Sequence, residues 1–337
     1  MSEPRKVKVG GIATLAAVVP YLVGHTPEAG SATILGFAGT RMVGPAVHLP
    51  DVGSFPEESV RAGFHEAVAT TVFSERDIDQ FVLLTWGDFP GHETLAVSTL
   101  ESFQGRKFVH GHVADGFITR IYPHAGLPTP VPIAPEEASL AAATPAPSYA
   151  AHLAAWDRTP AQVPWSMIDA AIQDADRLHH SRPLHQILAA ARIHLARIVD
   201  DASPHAIRET SIVQIAAVMA TNTAVRDAII CDVREDPILQ QGIKQAALHA
   251  PEQIAGDVVA TAAMFGFANG DMTSQQVQHF LGQAPDTKLG MLIGHSVAVG
   301  IPPRSVATLI SELQGAQKAQ PSGPGAPTSP QHEEVSR

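Results

Sequence analysis

The segment Gly87-Asp88-Phe89-Pro90-Gly91-His92-Glu93 sets a carboxylate and an imidazole four residues apart in a stretch punctuated by glycine and proline. It directly follows Phe81-Val82-Leu83-Leu84-Thr85-Trp86, a continuous apolar run expected of a strand buried on both faces. In open α/β sheets ligands bind outside the carboxyl ends of strands. Asp88 and His92 are therefore candidate catalytic residues, as general base, general acid or ligand, with helix N-terminal amides beside them to hold an anion. The plainer alternative is a turn made by Asp88 and a solvated first helical turn at His92 and Glu93.

A second pattern lies in Lys107-Phe108-Val109-His110-Gly111-His112-Val113. Alternation along a strand places His110 and His112 on one face with Phe108. Two imidazoles two residues apart are candidate metal ligands, but a site needs at least a third donor. Asp88, His92, Asp115, His48 and His124 are the donors nearest in sequence. The alternative is a solvated outer face.

Other donor-rich stretches have cheaper explanations. Asp174, Asp176, His179, His180 and His185 suit a polar helix end followed by a helix begun at Pro183. Gly10-Gly11 makes a turn before a helix, with neither a Gly-x-x-x-x-Gly-Lys-Ser/Thr loop nor a Gly-x-Gly-x-x-Gly turn, so no nucleotide cofactor is specified. Gly294-His295-Ser296 falls in a helical run and lacks the second glycine of a nucleophile elbow. Cys231 reads as a small core residue, and Arg226-Asp227 as a pair between helices.

These residues need elements to hold them. Ile12, Leu15, Val19, Leu22 and Val23 recur as one face of a helix that Pro20 kinks or ends. Arg5 to Lys8 followed by this apolar run resembles a signal peptide, yet the helical face argues for packing on a core, and the run is too short to span a membrane. Ser31 to Phe37 and Arg41 to Leu49 read as a hairpin, and Lys107 to Val113 and Phe117 to Tyr122 as a strand pair around Asp115-Gly116. Helices are expected near 56–73 and 91–103, and a short strand at 7–9. The fold class is an α/β or α+β domain with a mixed sheet over 1–135. An Ala/Pro-rich linker with one short helix near Glu136 follows over 136–163. Beyond Trp165 every periodic segment has the helical period, which gives a bundle of roughly seven helices over 164–314 and a disordered tail over 315–337. Phe265 to Asp286 looks like one helix-turn-helix repeat, a common platform for protein contacts.

The chain has 337 residues, with 22 Lys+Arg against 33 Asp+Glu and a formal charge of −11. The deficit is shared by both halves, so neither supplies the basic stripe that nucleic acid requires. A single cysteine excludes a disulfide framework within the chain and suits the cytoplasm.

The stretches Val19-Pro20-Tyr21-Leu22-Val23-Gly24-His25-Thr26-Pro27 and Ser31-Ala32-Thr33-Ile34-Leu35-Gly36 resemble the opening of an actinobacterial family known as domain of unknown function 4192. Ala224-Val225-Arg226-Asp227, Phe267-Ala268-Asn269-Gly270-Asp271 and Gly300-Ile301-Pro302-Pro303 follow in the same order, so the resemblance spans about residues 7–313. Many members carry a cysteine-containing stretch where this chain has Tyr122-Pro123-His124-Ala125-Gly126-Leu127-Pro128. The resemblance implies architecture and compartment, and no activity. Two functions are expected on these grounds. One is a cytoplasmic regulatory or binding protein that engages a protein partner, through the helical domain, or a small ligand. The other is a metal-assisted hydrolase or transferase with Asp88 as base or ligand and His92, His110 and His112 as ligands or acid.

Overall fold

The computed structural model describes residues 11–42, 46–54, 78–89, 105–122, 129–133 and 145–299, with isolated positions at 95, 301, 303, 305, 306 and 308. The expected strand at 7–9, the helices at 56–73 and near Glu136, most of the helix at 91–103 and the tail lie outside these residues, as do His92 and His124.

Helix α1, Ile12–Val23, continues through Pro20 and stops at Gly24, which takes a left-handed φ of 84° and donates its N–H to the Pro20 carbonyl. Leu15, Val19 and Val23 are buried as the periodicity requires, whereas Leu22 faces outward. The helix lies on a sheet built from β1 (Ser31–Ala38), β2 (Arg41–Met42), β3 (Val47–Leu49), β4 (Gln80–Trp86), β5 (Lys107–Ala114), β6 (Phe117–Tyr122) and β7 (Val131–Pro132). The order is β2-β1-β4-β5-β6-β7, with β3 also paired to β1. The expected hairpin is thus split, β2 and β3 each taking part of one edge of β1. Among the described pairings β4/β5 is parallel and the rest antiparallel, which makes the sheet mixed.

Strand β4 is buried from Phe81 to Trp86. On one face Phe81 and Leu83 pack with Ala32, Ile34, Val52, Phe89, Leu95 and Phe108. On the other, Val82, Leu84 and Trp86 pack with Leu35, Val113 and the apolar side of α1. Close approach of α1 depends on Gly111 of β5, where an added Cβ would stand 2.6 Å from Ile12 Cδ1 and 2.9 Å from Ile118 Cδ1. Asp115 and Gly116, both at positive φ, close the β5/β6 turn.

The second half is all-helical over the described residues: α2 (Tyr149–Ala154), α3 (Trp165–Ser181), α4 (Leu184–Val199), α5 (His205–Thr221), α6 (Thr223–Val233), α7 (Pro237–His249), α8 (Gly256–Asn269), α9 (Ser274–Leu281) and α10 (Lys288–Ala298). Helix α2 falls within the stretch expected as linker, begun by Ser148, whose hydroxyl accepts from the Ala151 N–H. Helix α8 is the axis, buried from Val258 to Phe267 because its small residues let neighbours approach on every side. Side-chain caps at Asn222, Asp236, Thr273 and Thr287 fix the starts of four helices. Buried Arg158 donates to the carbonyls of Ala247, Ala250 and Gln283, so the chain leading into α3 is tied to the ends of α7 and α9.

Arg226 joins α6 to α8. Its guanidinium bonds Asp227 twice at 2.8–2.9 Å and reaches Asp257 at 2.8 Å. It is 8% exposed, and Arg226→Ala leaves the Asp257 carboxylate, 12% exposed, without its cation beside the half-exposed Asp227. A loss on the order of 3 kcal/mol is expected, measured as a lower urea midpoint with an unchanged slope. An unaltered midpoint would mean that the pair does not hold these helices together.

Candidate functional site

The carboxyl end of the parallel pair brings together part of the sequence-derived set. Thr85 and His112 are cross-strand partners on β4 and β5. Alternation along β5 puts His110 on the same side, so one hydroxyl faces two rings. The Thr85 Oγ1 stands 3.0 Å from His110 Nε2 and 3.2 Å from His112 Nδ1. Asp88, beyond the end of β4, places Oδ1 3.0 Å from His112 Nε2.

Elementary bookkeeping of protons orients this chain. A carboxylate only accepts, so His112 donates from Nε2 and its Nδ1 is bare when the ring is neutral. Nδ1 then accepts the single hydroxyl proton of Thr85. That hydroxyl oxygen in turn accepts from His110 Nε2. The result is a directed line of hydrogen bonds from buried His110 through Thr85 and His112 to Asp88 at the surface. The two interior members are fully buried, the His112 side chain is 13% exposed, and that of Asp88 is 92% exposed.

This arrangement answers several expectations. His110 and His112 do share a face, but His110 lies in the interior rather than on a solvated outer face. Asp88 does meet the histidine pair. His92 lies outside the described residues. His48 is on the opposite face, where its Nδ1 contacts Thr33 Oγ1 at 3.0 Å, and the same hydroxyl accepts from Trp86 Nε1. Since Thr85 and Trp86 point to opposite faces, His48 is not a third donor for His110 and His112. The two imidazole nitrogens meet at the Thr85 hydroxyl, and among the described residues no group of three or more His, Cys, Asp or Glu side chains is arranged to hold a metal ion.

The remaining motifs take structural places. His179 reaches Thr221 at 2.9 Å where α3 and α5 end, and Arg177 pairs with Asp174 in the exposed final turns of α3. Gly294, His295 and Ser296 lie within α10, and Cys231 is buried in α6.

A second concentration of imidazoles was not legible in the sequence. His25 follows α1, His48 sits on β3, and His152 sits on α2. The His25 ring centroid lies 4.7 Å from that of His48 and 5.1 Å from that of His152, and Tyr149 covers the group at 5.2 Å from His25. Gly24 admits the third ring: a Cβ there would stand 2.5 Å from His152 Cε1. The three histidines come from positions scattered over more than a hundred residues, with no shared spacing to mark them. The one local signal is the glycine that ends α1 directly before His25.

No protein-family model matches the chain, and no curated protein or solved structure matches it significantly.

The proton chain yields a direct test. Thr85→Val removes the hydroxyl while keeping the shape, so both rings lose the hydrogen bond they share with it. A loss of about 2 kcal/mol is expected by chemical denaturation, and Thr85→Ser should recover most of it. Equal stability of the valine protein would show that the rings do not depend on the hydroxyl.

Proposed function

We propose that this is a cytoplasmic regulatory or binding protein that engages a protein partner through its helical region. One observation carries this reading: large apolar side chains stand in solvent where proline-led helices begin. Trp165 opens α3 after Pro164 at 62% exposure, and Ile238 follows Pro237 in α7 at 64%. Leu184 after Pro183 and Ile207 after Pro204 are exposed in the same way, and Ile193 stands out from the middle of α4. Proline fixes the backbone of these starts in advance, so the side chains are presented at little further entropic cost. Tryptophan is also the residue type most enriched among energetic anchors of interfaces.

Compartment and family complete the reading. The single cysteine, Cys231, is buried and suits a reducing cytoplasm. Among the described residues no helix is long and apolar enough to cross a membrane. The resemblance to the actinobacterial family is carried by the order of the motifs in the chain.

A second reading, a metal-assisted hydrolase or transferase, draws its support from the Asp88–His112 contact at the carboxyl end of β4 and β5. Asp88 would act there as base or ligand, with His110 and His112 turning from Thr85 toward a metal. Titration with Zn²⁺ separates the two readings. Tight binding at one ion per chain, lost in Asp88→Asn and His112→Ala, would favour the enzyme.

For the partner reading, the protein is crosslinked in cells of its own source and each recovered partner is then titrated against purified variants. Trp165→Ala and Ile238→Glu should weaken a true partner at least tenfold while leaving the unfolding midpoint unchanged. A partner held equally well by both variants would remove the helical face from consideration.

A further inference from the structure

The histidine group under Tyr149 sits on a seam. His25 lies between α1 and β1 and His48 on β3, at the end of the sheet domain, while His152 belongs to α2, which rests on α9 of the helical region. Backbone and side-chain hydrogen bonds also cross the seam. The backbone of 24–26 exchanges bonds with Ala146, Thr26 N–H to the Ala146 carbonyl and Ala146 N–H to the Gly24 carbonyl, both at 2.9 Å. The Tyr149 N–H reaches Glu28, and the Gln275 side chain donates to the His48 carbonyl.

Each ring is placed for its neutral form. His25 Nδ1 faces the Val23 carbonyl at 3.2 Å and must carry the proton there, which leaves Nε2 bare. His152 Nδ1 faces the side-chain amide N–H of Gln276 at 3.3 Å and therefore accepts, so its proton is on Nε2, 3.0 Å from Thr273 Oγ1. Gln276 cannot turn over to greet a second proton. Its oxygen is engaged by the Thr273 N–H and its nitrogen also donates to the His152 carbonyl. His48 is held at Nδ1 by Thr33. The Nε2 atoms of His25 and His48 are buried without a hydrogen-bond partner, in residues 1% and 3% exposed. A proton on Nε2 of His25 or His48 meets no hydrogen-bond partner among the described residues, and each ring faces a neighbour about 5 Å away.

We propose that His25, His48 and His152 form an acid-released clasp between the end of the sheet and the α2/α9 side of the helical region, closed while the rings are neutral and parted once they are protonated. The proton affinities agree with the geometry. Burial, followed by the charges of His25 and His152, lowers His48 to about 3. Burial, followed by His25, lowers His152 to about 4, with the Gly24 carbonyl opposing. His25 is lowered by burial, against the Val23 carbonyl and the Glu28 charge. Among the described residues the other groups facing the cluster are Tyr149, itself raised by burial and by Asp51, and the uncharged Thr33, Trp86, Thr273, Gln275 and Gln276. Glu28 and Asp51 at the rim are the acids that temper the effect.

The sign follows from linkage. The closed state binds protons less readily than the open one, whose histidines titrate near 6.5, so closure is favoured at high pH and weakened as pH falls from about 6.5 toward 4. His48 and His152 together shift the opening equilibrium on the order of a thousandfold between pH 7.5 and pH 5.

The test is amide hydrogen exchange of the full chain at pH 7.5 and pH 5, corrected for intrinsic rates. Thr26, Ala146 and Tyr149 should lose protection on that thousandfold scale and exchange well ahead of α8 at pH 5, because the seam opens without unfolding the bundle. In His48→Gln with His152→Gln the pH dependence at these amides should shrink to about thirtyfold or less, the share left to His25. Equal pH dependence in parent and variant, or seam amides that exchange no faster than α8 at pH 5, would overturn the clasp. Should the variant not fold, ring titration of the parent by NMR decides: His48 and His152 titrating near 6.5 would overturn it, and both remaining neutral until the seam amides exchange would support it.

Discussion

Burial of β4 on both faces is the constraint from which the rest of the structure follows. A strand with no exposed side must find cover above and below, and here α1 supplies one cover while Val52, Phe89 and Leu95 contribute to the other. The strand also takes the one parallel neighbour described, β5, so the two carboxyl ends finish at the same edge. That edge is where the polar residues gather. Thr85 turns to one face and Trp86 to the other, and each is the anchor of a histidine arrangement.

Burying imidazoles at such an edge is costly unless each nitrogen meets a suitable partner. On the Thr85 side one hydroxyl serves a nitrogen of each ring, and the line ends on a surface carboxylate. Across the strand the Nε2 atoms of His25 and His48 are buried without a hydrogen bond.

The helical region obeys another rule. Helix α8 is lined by alanine, glycine and valine, and close packing around it leaves little room for polar atoms beyond the Arg226 pairings and the Arg158 bonds to helix ends. Its outward features are therefore apolar side chains at helix starts rather than charged grooves.

Much of the architecture was legible in the chain. The unbroken run from Phe81 to Trp86 announces a strand without a wet face, and the period of the second half announces helices, because periodicity records which sides are buried. The approach of Asp88 to His112 was foreseeable for a similar reason: one residue ends a strand and the other sits on its neighbour. Sequence also placed His110 and His112 on one face, but could not say that this face is interior, since burial depends on what else covers it. The division of the first hairpin into β2 and β3, the helix within the proline-rich stretch, and above all the meeting of His25, His48 and His152 were decided by tertiary structure. Local patterns fix which way a side chain points along its own element. Which distant side chains it meets is set only when the elements pack.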